Sequence, residues 1–155
     1  MNRIEAAAVE IRRLQKNDRV AWEDLWQENL DHFAAPDRAR ADIPVIWQRL
    51  MDQAAPLRGW LVFQQGRAAG LAHVILRQHS FSTAQIAILE DLWIAPFARR
   101  HGLAERLVER LVREGRAQGW RGIEWETGDE NLVAQRLYDR IATLDPVKRY
   151  RIDLV

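Results

Sequence analysis

From Ala8 to Leu14 the chain alternates, Ala8, Glu10 and Arg12 against Val9, Ile11 and Leu14, a period near two that predicts an opening strand. Asp18 then stands where a helix N-cap belongs. Trp22, Leu25, Trp26 and Leu30 follow at helical spacing up to about Phe33. Pro36 breaks that helix, and Pro44 falls near the start of a second one, with Val45, Ile46, Leu50 and Met51 on one side, ending before Pro56. Trp60–Gln64 reads as a strand, Gln65-Gly66-Arg67 as a turn and Ala69–Arg77 as the hairpin partner. His79–Thr83 reads as a loop, and Gln85–Ala95, the longest strand candidate, is stopped by Pro96.

Gly102 opens the clearest helix. Leu103, Leu107, Val108, Leu111 and Val112 form its apolar stripe, Glu105, Arg106, Glu109, Arg110 and Arg113 face the other way, and Gly119 is the stop. Gly122–Thr127 reads as a strand, Asn131–Ile141 as a helix, and Val147–Leu154 as a final strand with Tyr150, Ile152 and Leu154 on one face. The order predicts one mixed α/β domain over residues 1–155, built on a single sheet, with a right-handed parallel crossover between Gln85 and Thr127. On the Gln85–Ala95 strand, alternation sends Glu90 to one face with Leu92 and Ile94, and Asp91 to the other with Leu89 and Trp93.

The length of 155 residues suits one core, and 48% hydrophobic with 29% charged residues is an ordinary globular balance. No run approaches the ~18 apolar residues of a membrane span, so no membrane partner is expected. Glu5 and Glu10 interrupt any signal-peptide order, and cysteine is absent; both fit a cytoplasmic protein. A net charge of +1 gives little pull towards nucleic acid, which is not expected as a partner. Without cysteine there is no thiolate metal site, and His32, His73, His79 and His101 lack metal-ligand spacing. No metal is expected, and no histidine is given a catalytic role.

The chemistry lies after Pro96. Arg99-Arg100-His101-Gly102-Leu103-Ala104 joins a strand end to a helix N-terminus, where first-turn amides have no intrahelical partner and the helix dipole favours an anion. Gly102 permits an unusual backbone, Ala104 lets a phosphate approach closely, and Arg99 and Arg100 add charged donors. The spacing fits neither a dinucleotide-binding glycine motif nor a P-loop. By itself the pattern describes either an anion site or a solvated turn.

Leu89-Glu90-Asp91-Leu92-Trp93-Ile94-Ala95-Pro96, then Arg99-x-x-Gly102-x-Ala104, then Asn131-x-x-Ala134-x-x-Leu137-Tyr138, together resemble the GNAT superfamily of N-acetyltransferases. The resemblance implies that family's mostly antiparallel twisted sheet flanked by helices, with acetyl-CoA as co-substrate. It implies that the Arg99–Ala104 loop (Arg99, Arg100, His101, Gly102, Leu103, Ala104) binds the pyrophosphate, largely through backbone amides. Leu92, Trp93 and Ile94 would offer main-chain hydrogen bonds to the pantetheine arm, and Asn131 a further cofactor contact. Two departures stand out: Ala104 replaces the loop's third glycine, and Ala142 replaces the glycine that often ends the tyrosine-bearing helix.

Amine acetylation needs a base for the amine and an acid for the leaving thiolate. Tyr138, at the family's tyrosine position, is the candidate acid, and Glu90 the candidate base, acting through a water. The resemblance puts the first two helices on the acceptor side. Trp26, Glu28 and Asp31 there, with Asp91, are candidates for holding a small cationic, polyamine-like amine. A protein lysine or N-terminus is the alternative acceptor, and a non-catalytic coenzyme A sensor the alternative class. The final strand and the seven tryptophans leave room for a homodimer.

Overall fold

In the computed structural model, which describes residues 8–154, β1 (Val9–Arg13) lies antiparallel to β2 (Leu57–Gln64), and β2 to β3 (Arg67–His79). The turn between them is tight because Gln65 and Gly66 both take left-handed backbone, φ 51° and 76°, which matches the natural twist of paired strands. β3 turns back into β4 (Ser82–Ile94), with His79 opposite Ser82, so the expected loop of five residues shrinks to Ser80-Phe81. β5 (Gly122–Glu124) adds parallel to β4, giving one sheet in the order β1-β2-β3-β4-β5. The helices are α1 (Arg19–His32), α2 (Asp37–Ala41), α3 (Ile43–Met51), α4 (Leu103–Gln118) and α5 (Leu132–Ile141).

Each face of the sheet carries its own core. On one, Trp60, Val62, Ala72, Val74, Ala87 and Leu89 meet Leu103, Leu107, Val108 and Leu111 of α4. On the other, Leu61, Leu71 and Trp93 meet Trp22, Leu25 and Leu30 of α1 and Ile43, Trp47 and Leu50 of α3. Full burial of such a side chain contributes about 1.5–3 kcal/mol. The short α2 was not expected; it begins directly after Pro36, whose extended backbone ends the preceding turn. No described helix is long and apolar enough to cross a membrane.

Two strand expectations are corrected. The strand over Gly122–Thr127 stops at Glu124. The strand over Val147–Leu154 does not form: residues 143–154 have no regular structure, and Val147, Tyr150, Ile152 and Leu154 are 79–89% exposed. Alternation marks a segment suited to one sheet face, but a strand also needs a neighbour for its backbone groups. Among the described residues this segment has none.

Asp18 stands at the N-cap of α1 without capping it. Its carboxylate instead accepts two hydrogen bonds from the Arg12 guanidinium, at 2.7 and 2.9 Å, and one from the Gln15 amide at 2.7 Å. It thereby ties β1 to the start of α1. The Arg12 hydrogen bond, outweighing desolvation, holds the Asp18 carboxyl below its ordinary range. A carboxylate with a lowered native pKa contributes stability above its unfolded pKa of about 3.9, lost as pH falls through the native value. Arg12→Leu is therefore expected to lower unfolding free energy by about 1.5–3 kcal/mol at neutral pH. Urea titrations should show the gap from wild type closing in acid; a gap independent of pH would contradict this role.

Candidate active site

β4 ends at Ile94, and a single helical turn, Pro96–Ala98, leads into the loop before α4. Arg100 and Gly102 both take left-handed backbone, φ 64° and 70°. Only glycine adopts this without strain, and Arg100 bears a cost of about 1–2 kcal/mol. Gly102 is the N-cap of α4, and no side chain caps that terminus. The first-turn amides are thus open, at the positive end of a 16-residue helix dipole. Leu103, 2% exposed, anchors the turn in the core, whereas Arg100, His101 and Gly102 are exposed and Ala104 is half-buried.

Arg99 turns away from this cradle. Its Nε donates to the Ile94 carbonyl at 3.0 Å, and its guanidinium sits 4.9 Å from the Trp93 ring centroid. It braces the strand end, and the uncapped backbone amides remain the groups that could receive an anion. The strand itself is open on one side. β5 pairs with β4 only at Ile86–Ile88, while Leu92, Trp93 and Ile94 pair with Ala72, Leu71 and Gly70 on the opposite edge. The free edge from Leu89 to Ile94 runs straight into the loop. An extended, amide-bearing chain can pair there as an added strand, its phosphates reaching the α4 N-terminus.

The third feature is an irregularity in β4. Opposite β3, Asp91 pairs with His73 and Leu89 with Val74, so Glu90 is the extra residue of a β-bulge. A bulge resets the alternation. Ala87 and Leu89 belong to the α4-side core before it, Leu92 and Ile94 after it. Asp91 and Trp93 therefore share the α1/α3 face, and the expectation that Glu90 and Asp91 point to opposite faces is corrected. Both line one cleft of about 410 Å³, together with Trp26 of α1, Ile46 and Arg49 of α3, Ala55, Pro56, Leu57, His73 and Ile75.

His73 is a residue of the cleft to which the sequence reading gave no role. It is 2% exposed, accepts the Trp22 indole N–H at Nε2 (2.9 Å) and meets Asp91 Oδ2 through Nδ1 (2.9 Å). An indole nitrogen only donates, so Nε2 is the acceptor and the ring proton is on Nδ1, donating to Asp91. A second proton on Nε2 would face the indole N–H. His73 in this arrangement is neutral and fixes one Asp91 oxygen without cancelling its charge. The available signal was a histidine inside the otherwise apolar run Gly70–Leu76, where a buried polar ring needs partners.

The remaining candidates divide. Trp26 is on the cleft wall, its ring 4.8 Å from His73 and its indole N–H buried without a partner among the described residues. Glu28 and Asp31 do not line the cleft: Glu28 accepts the Trp93 indole N–H at 3.2 Å, and Asp31 pairs with Arg40 at 2.5 Å. Asn131 caps α5, its Oδ1 accepting the Ala134 amide at 3.4 Å. Tyr138 also lies outside the cleft, edge-on to Trp125 just beyond β5 at 5.3 Å, and burial raises its hydroxyl pKa above the ordinary value. No group of three His, Asp or Glu side chains that could hold a metal ion occurs among the described residues.

The chain matches the acetyltransferase (GNAT) family over residues 19–142. It is 26% identical over 134 residues to the D-amino-acid N-acetyltransferase HPA3 of Saccharomyces cerevisiae, covering 85% of this chain and 83% of that protein. It is 33% identical over 85 residues to the thialysine N-epsilon-acetyltransferase of Caenorhabditis elegans, covering 55% and 52%. The solved aminoglycoside N-acetyltransferase AAC(6')-Iy in complex with CoA shares the fold with a TM-score of 0.73 at 25% identity, over 93% of this chain and 94% of that one. The uncapped helix after an open strand edge thus sits within a family match covering most of the chain, and the protein belongs to the GNAT family as an N-acetyltransferase.

Proposed function

We propose that this enzyme transfers the acetyl group of acetyl-CoA directly to the primary amine of a small molecule that arrives as a cation. The observation that carries this reading is the bulge at Glu90, which turns two neighbouring carboxylates into one small cleft beside an open strand edge. The open amides of Arg100–Ala104 suit the pyrophosphate, the free edge at Leu92–Ile94 suits the pantetheine arm, and Asn131 flanks the donor from α5. Relatives named for D-amino acids, thialysine and aminoglycosides are all amine acetylators, which supports an amine acceptor here.

The acceptor's ammonium is drawn to Asp91 and Glu90. Glu90 removes its proton, directly or through a water, and the freed nitrogen attacks the thioester carbonyl carbon. The C–N bond forms, the C–S bond breaks, and the leaving thiolate takes a proton from Tyr138. Burial suits Tyr138 to this task, because it keeps the phenol protonated. The nitrogen loses its second proton as the amide forms, and that proton restores Tyr138, so the products are the amide and coenzyme A thiol, with one ammonium proton held by Glu90. No covalent enzyme intermediate is needed, which suits a chain without cysteine.

Calorimetric titration with acetyl-CoA, followed by thiol release across a panel of small amines and peptides, tests the reading. Absence of acetyl-CoA binding defeats it, and so does turnover of peptides alone. Tyr138→Phe is expected to lower kcat about tenfold, less than a typical general acid. A thiol, with a pKa near 8.5, leaves readily as its anion. Acetyl-CoA affinity should hold; an unchanged kcat would remove Tyr138 as the acid.

A further inference from the structure

Resting on that acceptor reading, we propose that the acceptor is a zwitterion, a small amino acid whose ammonium meets Asp91 and whose carboxylate meets Arg49. The cleft carries charges of both signs on different elements: Glu90 and Asp91 from β4, Arg49 from the last turn of α3. Among the described residues no ion pair engages Arg49 or Glu90, and Asp91 has only its hydrogen bond with the neutral His73. Opposite charges that share a cleft without pairing leave each available to a ligand that bears both.

The two ends differ in build. At the anionic end, the Trp22–His73 relay holds Asp91 in place while leaving its charge whole, as an ammonium requires. At the cationic end, Arg49 offers a planar fork that matches a carboxylate. Ile46, Leu57 and Ile75 line the remainder, space for an aliphatic side chain. A polyamine would leave Arg49 unanswered and set a second cation near it, a like-charge juxtaposition that works against binding. The volume, about 410 Å³, lies towards the small end of ligand sites.

The test compares kcat/KM for D- and L-lysine, lysinamide and cadaverine, which share an aliphatic diamine and differ in the carboxylate. The better lysine enantiomer is expected to exceed both others by about 10–100-fold, the range of a charge-assisted contact. Arg49→Gln should bring that ratio to within about threefold, and Arg49→Lys should recover part of it, since a point charge replaces the fork. A wild-type enzyme that uses cadaverine or lysinamide as well as lysine overturns the zwitterion while leaving amine acetylation intact. A preference that survives Arg49→Gln overturns the role of Arg49. Acetyl-CoA binding with turnover of none of these amines overturns the acceptor reading of the cleft together with the inference.

Discussion

Glu90→Gln is expected to reduce kcat by about 10²–10³-fold, the loss typical when a general base is removed. The substitution keeps the size and shape of the side chain at the bulge, so the β3–β4 ladder and the cleft wall should persist. The neutral amide cannot take a proton from an ammonium. The residual rate should therefore rise with pH more steeply than in wild type, as solvent supplies an increasing fraction of neutral amine. Steady-state kinetics over a pH series, with melting temperature as the check on folding, decides the matter. A variant with wild-type turnover would move the base to Asp91. Asp91 already has one oxygen committed to His73 at 2.9 Å, so it is better built to orient the ammonium than to remove its proton.

The second large effect concerns the donor. Ala104→Glu is expected to weaken acetyl-CoA binding about 100-fold, because it sets a carboxylate in the first turn of α4, where the amides are to receive a pyrophosphate. At an effective dielectric near 20, two charges about 4 Å apart repel by about 4 kcal/mol before salt screening, enough for such a loss. The same carboxylate is favourable for the isolated helix, by about 0.3–1 kcal/mol at the positive end of its dipole. Affinity and stability should thus move in opposite directions, which damage to the fold would not produce. Ala104→Gln, of the same size without the charge, should lose much less. Equal losses in the two variants, by calorimetry, would mean that crowding rather than charge is responsible.

Much of the region proposed for the donor was legible as local structure along the chain. Gly102 at the N-cap, the stripe from Leu103 to Val112 and Gly119 at the stop lie within eighteen residues, and the helix appears with its expected ends. The hairpin at Gln65-Gly66 was equally readable, since its turn residues carry their own backbone requirement. Asp18 shows the limit of local reading. The capping position was right, but Arg12, six residues back and on a strand, competes more strongly for the carboxylate than the α1 amides do.

The cleft proposed for the acceptor depends on pairings distant in sequence. Strict alternation along β4 divided Glu90 from Asp91. The register against β3, with Asp91 opposite His73 and Leu89 opposite Val74, inserts one residue and unites them. Glu28 and Asp31 were candidates for holding a cationic amine, yet Trp93 and Arg40 claim them, sixty-five and nine residues away. His73 could not be judged without Trp22, fifty-one residues before it. Nor could the apolar alternation of Val147–Leu154 become a strand with no sheet edge to receive it.

By itself, then, the amino-acid sequence determined the glycine-containing loop before α4, the helix that follows and the family to which they belong, because periodicity, capping and glycine conformation act over a few residues. Only the tertiary structure decided which side chains share the cleft proposed for the acceptor. A β-bulge and a histidine tautomer are each set by a partner far along the chain, and no local pattern encodes them.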